Sequence, residues 1–284
     1  MATEKDFITK ITPTWCVGCG NFGIWTALRQ ALAELGLEPH QAVMVFDIGC
    51  NGNGANWHGT YGFHGLHGRP LPIACGVKMA NHELKVIAVS GDGGGYGEGG
   101  NHFIHTCRGN QDITYIIYNN HRYSLTTGQA SPTSEHGAKT KSTPAGLIEY
   151  PFNGPQVALT CGATFVAQGS ADEVVHLKEL LKKAVSHPGF SLIDILQPCV
   201  IYNDKDIRQQ YKQKVYKLEE AGYQPNDKMA AYQKAGETEK LPIGVLYEEI
   251  RPTYENQLPQ LAKAPLVKQP VAVGDISEFL REFK

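Results

Sequence analysis

The chain has 284 residues, 42% of them hydrophobic, enough to bury one sizeable core. A formal net charge of −2 without a basic run argues against nucleic-acid binding, and no apolar stretch reaches the roughly 20 residues that span a bilayer. Seven cysteines follow a short charged start (residues 1–10) that lacks the apolar core of a signal peptide, a pattern expected of a cytoplasmic protein whose cysteines are reduced.

In chain order, Cys16-Val17-Gly18-Cys19 comes first, after Pro13 and Trp15 and before a helix, so that both sulfurs can share one turn. The helix is predicted over residues 22–35: Phe22, Trp25, Leu28, Leu32 and Leu35 recur at helical spacing, and Gly36 with Pro39 closes the segment. Residues 43–49 read as a buried strand that delivers Cys50. His67 then sits in Gly65-Leu66-His67-Gly68, either as an exposed loop side chain or, with His58 and His64, as a metal ligand. Residues 84–89 form a second buried run ending near Asp92, inside a glycine-rich stretch (91–100) that a flexible loop alone would explain. A third run, 113–118, leads to Asn119 and Asn120.

Residues 126–154, rich in Gly, Ser, Thr and Pro, read as a long loop over the site. An amphipathic helix over 171–186 precedes a strand over 191–196, after which Pro198 introduces Cys199. Beyond Tyr202 charged and amide residues dominate, and 265–270 looks extended. The alternation of strands and helices predicts an α/β fold, doubly wound around a mostly parallel sheet, over residues 1–200. Residues 201–284 read as an extension that packs on a partner chain or stays a solvated tail.

These placements bring chemistry to one edge. Open α/β sheets bind ligands outside the carboxyl ends of their strands, which is where Asp92 and Asn120 emerge. One carboxylate, one amide oxygen and a backbone carbonyl near Arg122 would suffice for Mg²⁺, a hard ion that also takes oxygens from phosphates. Cys16, Cys19, Cys50 and Cys199 converge on the same edge, a set able to hold an iron–sulfur cluster. A tetrahedral zinc site competes; zinc ribbons usually bring two close pairs, whereas here one pair joins two distant single cysteines. Cys75, Cys107 and Cys161 read as small buried hydrophobes.

Val89-Ser90-Gly91-Asp92-Gly93 followed by Tyr118-Asn119-Asn120 resembles the split diphosphate and magnesium site of thiamine-diphosphate enzymes. With Trp15-Cys16-Val17-Gly18-Cys19-Gly20, Asp47-Ile48-Gly49-Cys50, His67-Gly68-Arg69, Gly100-Asn101-His102-Phe103 and Thr127-Gly128-Gln129-Ala130-Ser131-Pro132-Thr133, the chain resembles, over residues 12–200, the beta subunit of a 2-oxoacid:ferredoxin oxidoreductase. It is more similar to the 2-oxoglutarate and broad 2-oxoacid members than to the pyruvate enzymes.

The resemblance implies a pyrophosphate-binding domain and three cofactors. Thiamine diphosphate would be met by Ile48, Gly49, Cys50, Asn51, His67, Gly91, Gly93, Gly94, Ser124 and Leu125. Asp92, Asn120 and the carbonyl of Arg122 would hold Mg²⁺, and Cys16, Cys19, Cys50 and Cys199 a [4Fe–4S] cluster. His67 is the catalytic candidate, and the likeness argues against a histidine metal site. The implied reaction is oxidative decarboxylation of a 2-oxoacid, 2-oxoglutarate to succinyl-CoA in first place, with coenzyme A taking the acyl group and ferredoxin the electrons. The glutamate that activates the cofactor would come from a separate alpha subunit.

The chain departs from several relatives where they carry lysines, having Asn53 and Thr127 instead. If those lysines bind substrate carboxylates, another donor is needed here. Alternatives left open are pyruvate, branched-chain or indolepyruvate substrates, a non-redox thiamine enzyme with structural zinc, and a non-catalytic scaffold protein.

Overall fold

The computed structural model describes residues 2–270 and 274–283. Its strands are β1 (Ala42–Phe46), β2 (Tyr61–His64), β3 (Lys85–Gly91), β4 (Thr114–Asn119), β5 (Arg122–Tyr123), β6 (Gln129–Ala130), β7 (Phe165–Ser170), β8 (Ser191–Leu196), β9 (Val215–Lys217) and β10 (Leu241–Glu248). The helices are α1 (Asn21–Glu34), α2 (Pro70–Ala80), α3 (Gly100–Gly109), α4 (Gly154–Thr160), α5 (Val174–Ser186), α6 (Ile207–Lys214), α7 (Lys228–Ala235) and α8 (Ser277–Glu282). Eight strands form one sheet in the order β2-β1-β3-β4-β8-β7-β10-β9, while β5 and β6 pair separately. Neighbours from β2 to β7 run parallel, and β10 lies antiparallel to β7.

Strands β1, β4, β7 and β8 are buried at every position because helices cover both faces. On one face Met44, Phe46, Ile87, Val89, Ile116 and Ile193 pack against Ile24, Leu28 and Leu32 of α1 and Leu177, Leu180 and Leu181 of α5. On the other, Val45, Ala88, Tyr115 and Ile117 meet Leu71 and Ala74 of α2, Phe103 of α3 and Leu159 of α4. Alternate residues of each strand thus serve opposite layers, the period-two geometry of a strand read twice.

The expected fold class holds: the sheet is mostly parallel and wound on both sides. Element ends shift for local reasons. The first strand stops at Phe46 rather than residue 49, since Gly49 takes φ +115°, outside any strand. Helix α5 begins at Val174 rather than 171, because the Ala171 N–H still donates to the Leu196 carbonyl in the sheet ladder. Residues 265–270 are not extended throughout; Leu266–Lys268 makes a 3₁₀ turn. Nor does the segment after residue 200 stand apart as a tail, since β9 and β10 join the main sheet and Leu218, Ala231 and Ala235 enter its core. Cys107 is a buried hydrophobe as expected, whereas Cys75 and Cys161 are half-buried, with the Cys75 thiol bonded to Gln111. Among the described residues no helix is long and apolar enough to cross a membrane.

Candidate functional site

Five parallel strands in a row, β2, β1, β3, β4 and β8, end at one rim, and each hands the chain to a residue of interest: His67, Cys50, Asp92, Asn120 and Cys199 in turn. β3 and β4 are adjacent, with Gly91 opposite Tyr118, so Asp92 and Asn120 leave the sheet side by side. The Asn120 N–H lies 3.4 Å from Asp92 Oδ1.

Asp92 is 1% exposed, and its carboxylate is held by hydroxyls. Ser131 Oγ and Thr133 Oγ1 each donate to Asp92 Oδ2 at 2.6 Å. Both hydroxyls come from the long loop, so that segment does fold over the site. Asn120 Oδ1 accepts from the Arg122 N–H (3.0 Å) and from Ser124 Oγ (3.3 Å). His121, between the two, takes φ +58°, which turns the backbone sharply enough to bring Arg122 and Ser124 back to Asn120. The oxygen donors expected from the sequence are therefore brought together on one wall.

A cleft opens over this wall. Residues 48–51, His67, Gly91, Gly93, Gly94, Ser124 and Leu125 all line it, as do Asp92, Asn120 and Arg122. The glycines differ in what requires them. A Cβ on Gly94 would stand 1.7 Å from Asp47 Oδ2, and one on Gly93 2.3 Å from Tyr123 Cε1, so packing within the protein already demands both. A Cβ on Gly91 would meet only Asn51 Oδ1, at an ordinary 3.4 Å, and would occupy the cleft floor. Gly91 thus leaves open a cradle that the protein itself does not fill, beside an acidic residue and an amide oxygen. Those donors suit a diphosphate bridged by a hard divalent cation.

At the cleft mouth His67 Nδ1 is 3.4 Å from Glu98 Oε2 and 3.7 Å from Asp47 Oδ1. Asp47 is fully buried; it accepts from the Gly68 N–H at 2.7 Å and from the Ser90 hydroxyl, and burial raises its pKa above the usual carboxylate value. Tyr123 Oη donates to Glu98 at 3.1 Å. Burial, with the Glu98 charge beside it, holds the Tyr123 hydroxyl protonated far above neutrality. His58 and His64 do not join His67: His58 is buried against Phe46, its ring centroid 5.7 Å away, and His64 lies on the exposed edge strand β2.

Of the four cysteines, Cys50 lines the cleft, and Cys19 lies beside Gln197, which lines it too. All seven cysteines are free thiols. The Cys16–Cys19 turn closes with the Cys19 N–H on the Cys16 carbonyl at 3.0 Å, and Gly18 takes φ +80° within it. Trp15 ties this turn to the next loop, its Nε1 donating to the Cys50 carbonyl at 2.6 Å while its ring sits 4.4 Å from Trp57 and 5.2 Å from Phe22. Burial pushes the Cys19 and Cys50 thiols up to about 11, and the neighbouring thiols add to the rise at both. Among the described residues, no three His, Cys, Asp or Glu side chains are placed to hold a single metal ion.

Several participants carried no sequence expectation of their own. Ser131 and Thr133 stood in a motif without a role, and Trp15 stood only as a neighbour of Cys16. Asn21 and Gln197, both buried and lining the cleft, were not singled out. Pro-Cys at 198–199 was the one nearby signal for Gln197.

Residues 47–195 match the family described as thiamine pyrophosphate enzyme, C-terminal TPP binding domain, and residues 199–263 match the family that describes the C-terminal part of the pyruvate ferredoxin oxidoreductase beta chain. The 2-oxoacid:ferredoxin oxidoreductase subunit beta of Saccharolobus solfataricus is 44% identical over 93% of this chain and 91% of that protein. The 2-oxoglutarate oxidoreductase subunit KorB of Mycobacterium tuberculosis is 44% identical over 70% of this chain and 54% of its own length. Among solved structures, a 2-oxoglutarate:ferredoxin oxidoreductase from Magnetococcus marinus with 2-oxoglutarate, coenzyme A and succinyl-CoA bound superposes with a TM-score of 0.91 at 34% identity, over 100% of this chain and 96% of that one.

Proposed function

The chain belongs to the beta subunits of the 2-oxoacid:ferredoxin oxidoreductases, and from that premise we propose that it acts on 2-oxoglutarate, with coenzyme A as acyl acceptor and ferredoxin as electron acceptor. Its fold carries a thiamine-diphosphate-binding domain. The observation that carries the proposal is the meeting of Asp92 and Asn120 at adjoining strand ends, inside a cleft whose wall also bears Cys50. The substrate choice is supported by relatives named for 2-oxoglutarate and by the solved structure that holds it.

Bound thiamine diphosphate supplies an electron sink for the loss of carbon dioxide, and a thiolate-held iron–sulfur cluster takes electrons singly. The chain's own residues prepare for both. Asp92, Asn120 Oδ1 and the Arg122 carbonyl would hold Mg²⁺, with Ser131 and Thr133 keeping the carboxylate in its rotamer. Gly91 lets backbone approach the diphosphate, and Gly93 and Gly94 keep that wall thin. Cys16, Cys19, Cys50 and Cys199 would ligate a [4Fe–4S] cluster. Glu98 and Asp47 lie beside His67 Nδ1, and the ring lines the cleft. With Asn53 and Thr127 at the lysine positions of relatives, His67 and Arg122 are the lining residues that can carry positive charge toward a carboxylate. The activating glutamate would come from an alpha subunit, and the surface of the chain beyond residue 200 would help to seat that partner in the cytoplasm.

The test is anaerobic co-purification with an alpha subunit, followed by metal analysis and turnover. About four irons per beta chain, and reduction of ferredoxin that requires both coenzyme A and 2-oxoglutarate, are expected. Stoichiometric zinc in place of iron would sink the electron path, and faster turnover of pyruvate than of 2-oxoglutarate would sink the substrate assignment.

A further inference from the structure

Gln197 follows β8 and continues its ladder, its N–H donating to the Asn119 carbonyl at 2.9 Å. Only 2% of it is exposed. The side chain lines the cleft and reaches Cys19, with Nε2 3.5 Å from Cys19 Sγ and also 3.5 Å from the Pro198 carbonyl oxygen. Gly20 makes room for it: a Cβ there would lie 2.9 Å from Gln197 Cγ. Gln197 Oε1 has no hydrogen-bond partner among the described residues, and neither does Oδ1 of Asn21, whose side chain borders the same cleft.

The two ends of an amide are assigned by their partners. A thiolate that ligates iron carries no proton and can only accept, so together with the Pro198 carbonyl it holds Nε2 and turns Oε1 away. An unpartnered buried carbonyl oxygen costs about 1–3 kcal/mol. The arrangement makes sense if the N–H is wanted at the sulfur.

Resting on the cluster reading above, we propose that Gln197 is a positioning residue that tunes the reduction potential of the cluster through its N–H···S bond to Cys19. Adding one electron makes the cluster and its thiolates more negative, and a donor aimed at a ligand sulfur stabilises that state more than the oxidised one.

The test uses the alpha–beta complex purified without oxygen, comparing wild type with Gln197→Leu and Gln197→Glu. Iron content, thiamine diphosphate affinity and an EPR-monitored redox titration are measured on each. Loss of the donor is expected to make one-electron reduction about tenfold less favourable in Gln197→Leu, a downward shift of about 59 mV. Gln197→Glu, which places negative charge at the sulfur, should shift further in the same direction. Equal potentials in proteins with full iron would overturn this inference and leave the cluster reading standing. Iron lost from both variants with thiamine diphosphate binding intact would make Gln197 a support of the site and also overturn it. A wild type without iron would overturn the cluster reading and this inference together.

Discussion

Two neighbouring regions on the same rim solve opposite problems. The oxygen side, at the ends of β3 and β4, is satisfied in advance: two hydroxyls and a backbone N–H point at Asp92, and a backbone N–H and a hydroxyl at Asn120 Oδ1. The sulfur side draws Cys16, Cys19, Cys50 and Cys199 from three separate loops, and burial holds the Cys19 and Cys50 thiols protonated at pH 7. A carboxylate can be stored charged when donors surround it. The Cys19 and Cys50 thiols would instead give up their protons on binding a metal. The oxygen side is therefore organised by the fold and the sulfur side by packing, which the proposed cluster would complete.

That contrast can be broken by paired substitutions. Asp92→Asn should weaken Mg²⁺-dependent thiamine diphosphate binding by more than the roughly 10–100-fold typical of outer-sphere partners, with iron content unchanged; titration calorimetry and iron analysis on one preparation read both. Cys19→Ser should do the reverse, losing most of the iron while thiamine diphosphate affinity stays within about threefold, less than an outer-sphere loss. If either substitution abolished both cofactors, the two sides would be one cooperative unit and the contrast would fail.

Smaller effects sharpen it. Thr133→Val keeps the shape and removes one hydroxyl from Asp92 Oδ2, and should lower Mg²⁺ affinity by about tenfold, the low end for an outer partner. Under the sulfur side, His58 is fully buried with neither ring nitrogen hydrogen-bonded among the described residues, and burial, aided by Arg29, lowers its pKa to about 3. A depressed folded-state value means that the unfolded chain binds the proton first, so stability is full above the ordinary value of 6.5 and falls as pH drops toward 3. At pH 5 the loss is about 2 kcal/mol, from 1.36 kcal/mol per pH unit. Urea unfolding should show this slope in wild type and a shallower one in His58→Leu; equal slopes would place the acid sensitivity elsewhere. Trp15→Phe removes the hydrogen bond to the Cys50 carbonyl and should cost about 1 kcal/mol, seen as a lower midpoint of thermal unfolding and faster iron release to a chelator.

The β–α alternation, the strand ends at Asp92, Asn120 and Cys50, and the Cys16–Cys19 turn were legible because each rests on short-range patterns: buried apolar runs, glycine punctuation, close cysteine spacing. Other features were not legible. Ser131 and Thr133 lie about forty residues from Asp92 and carry no periodicity, so only the closing of the loop reveals them as its donors. Gly93 and Gly94 read as cofactor contacts, yet the side chains of Tyr123 and Asp47 require their bareness regardless. The charged composition after residue 200 suggested an extension on a partner chain or a solvated tail and gave no sign of β10, because a strand inserted antiparallel beside β7 is specified by its partner and not by local composition.

By itself the sequence determined which residue types could meet a hard ion or an iron cluster and at which strand ends they would emerge, since side-chain chemistry and strand periodicity are local properties. Tertiary structure alone decided which donors surround Asp92 and that Gln197 faces Cys19. These depend on loop closure and on the order in which strands pair, where contacts distant in the chain outweigh local preference.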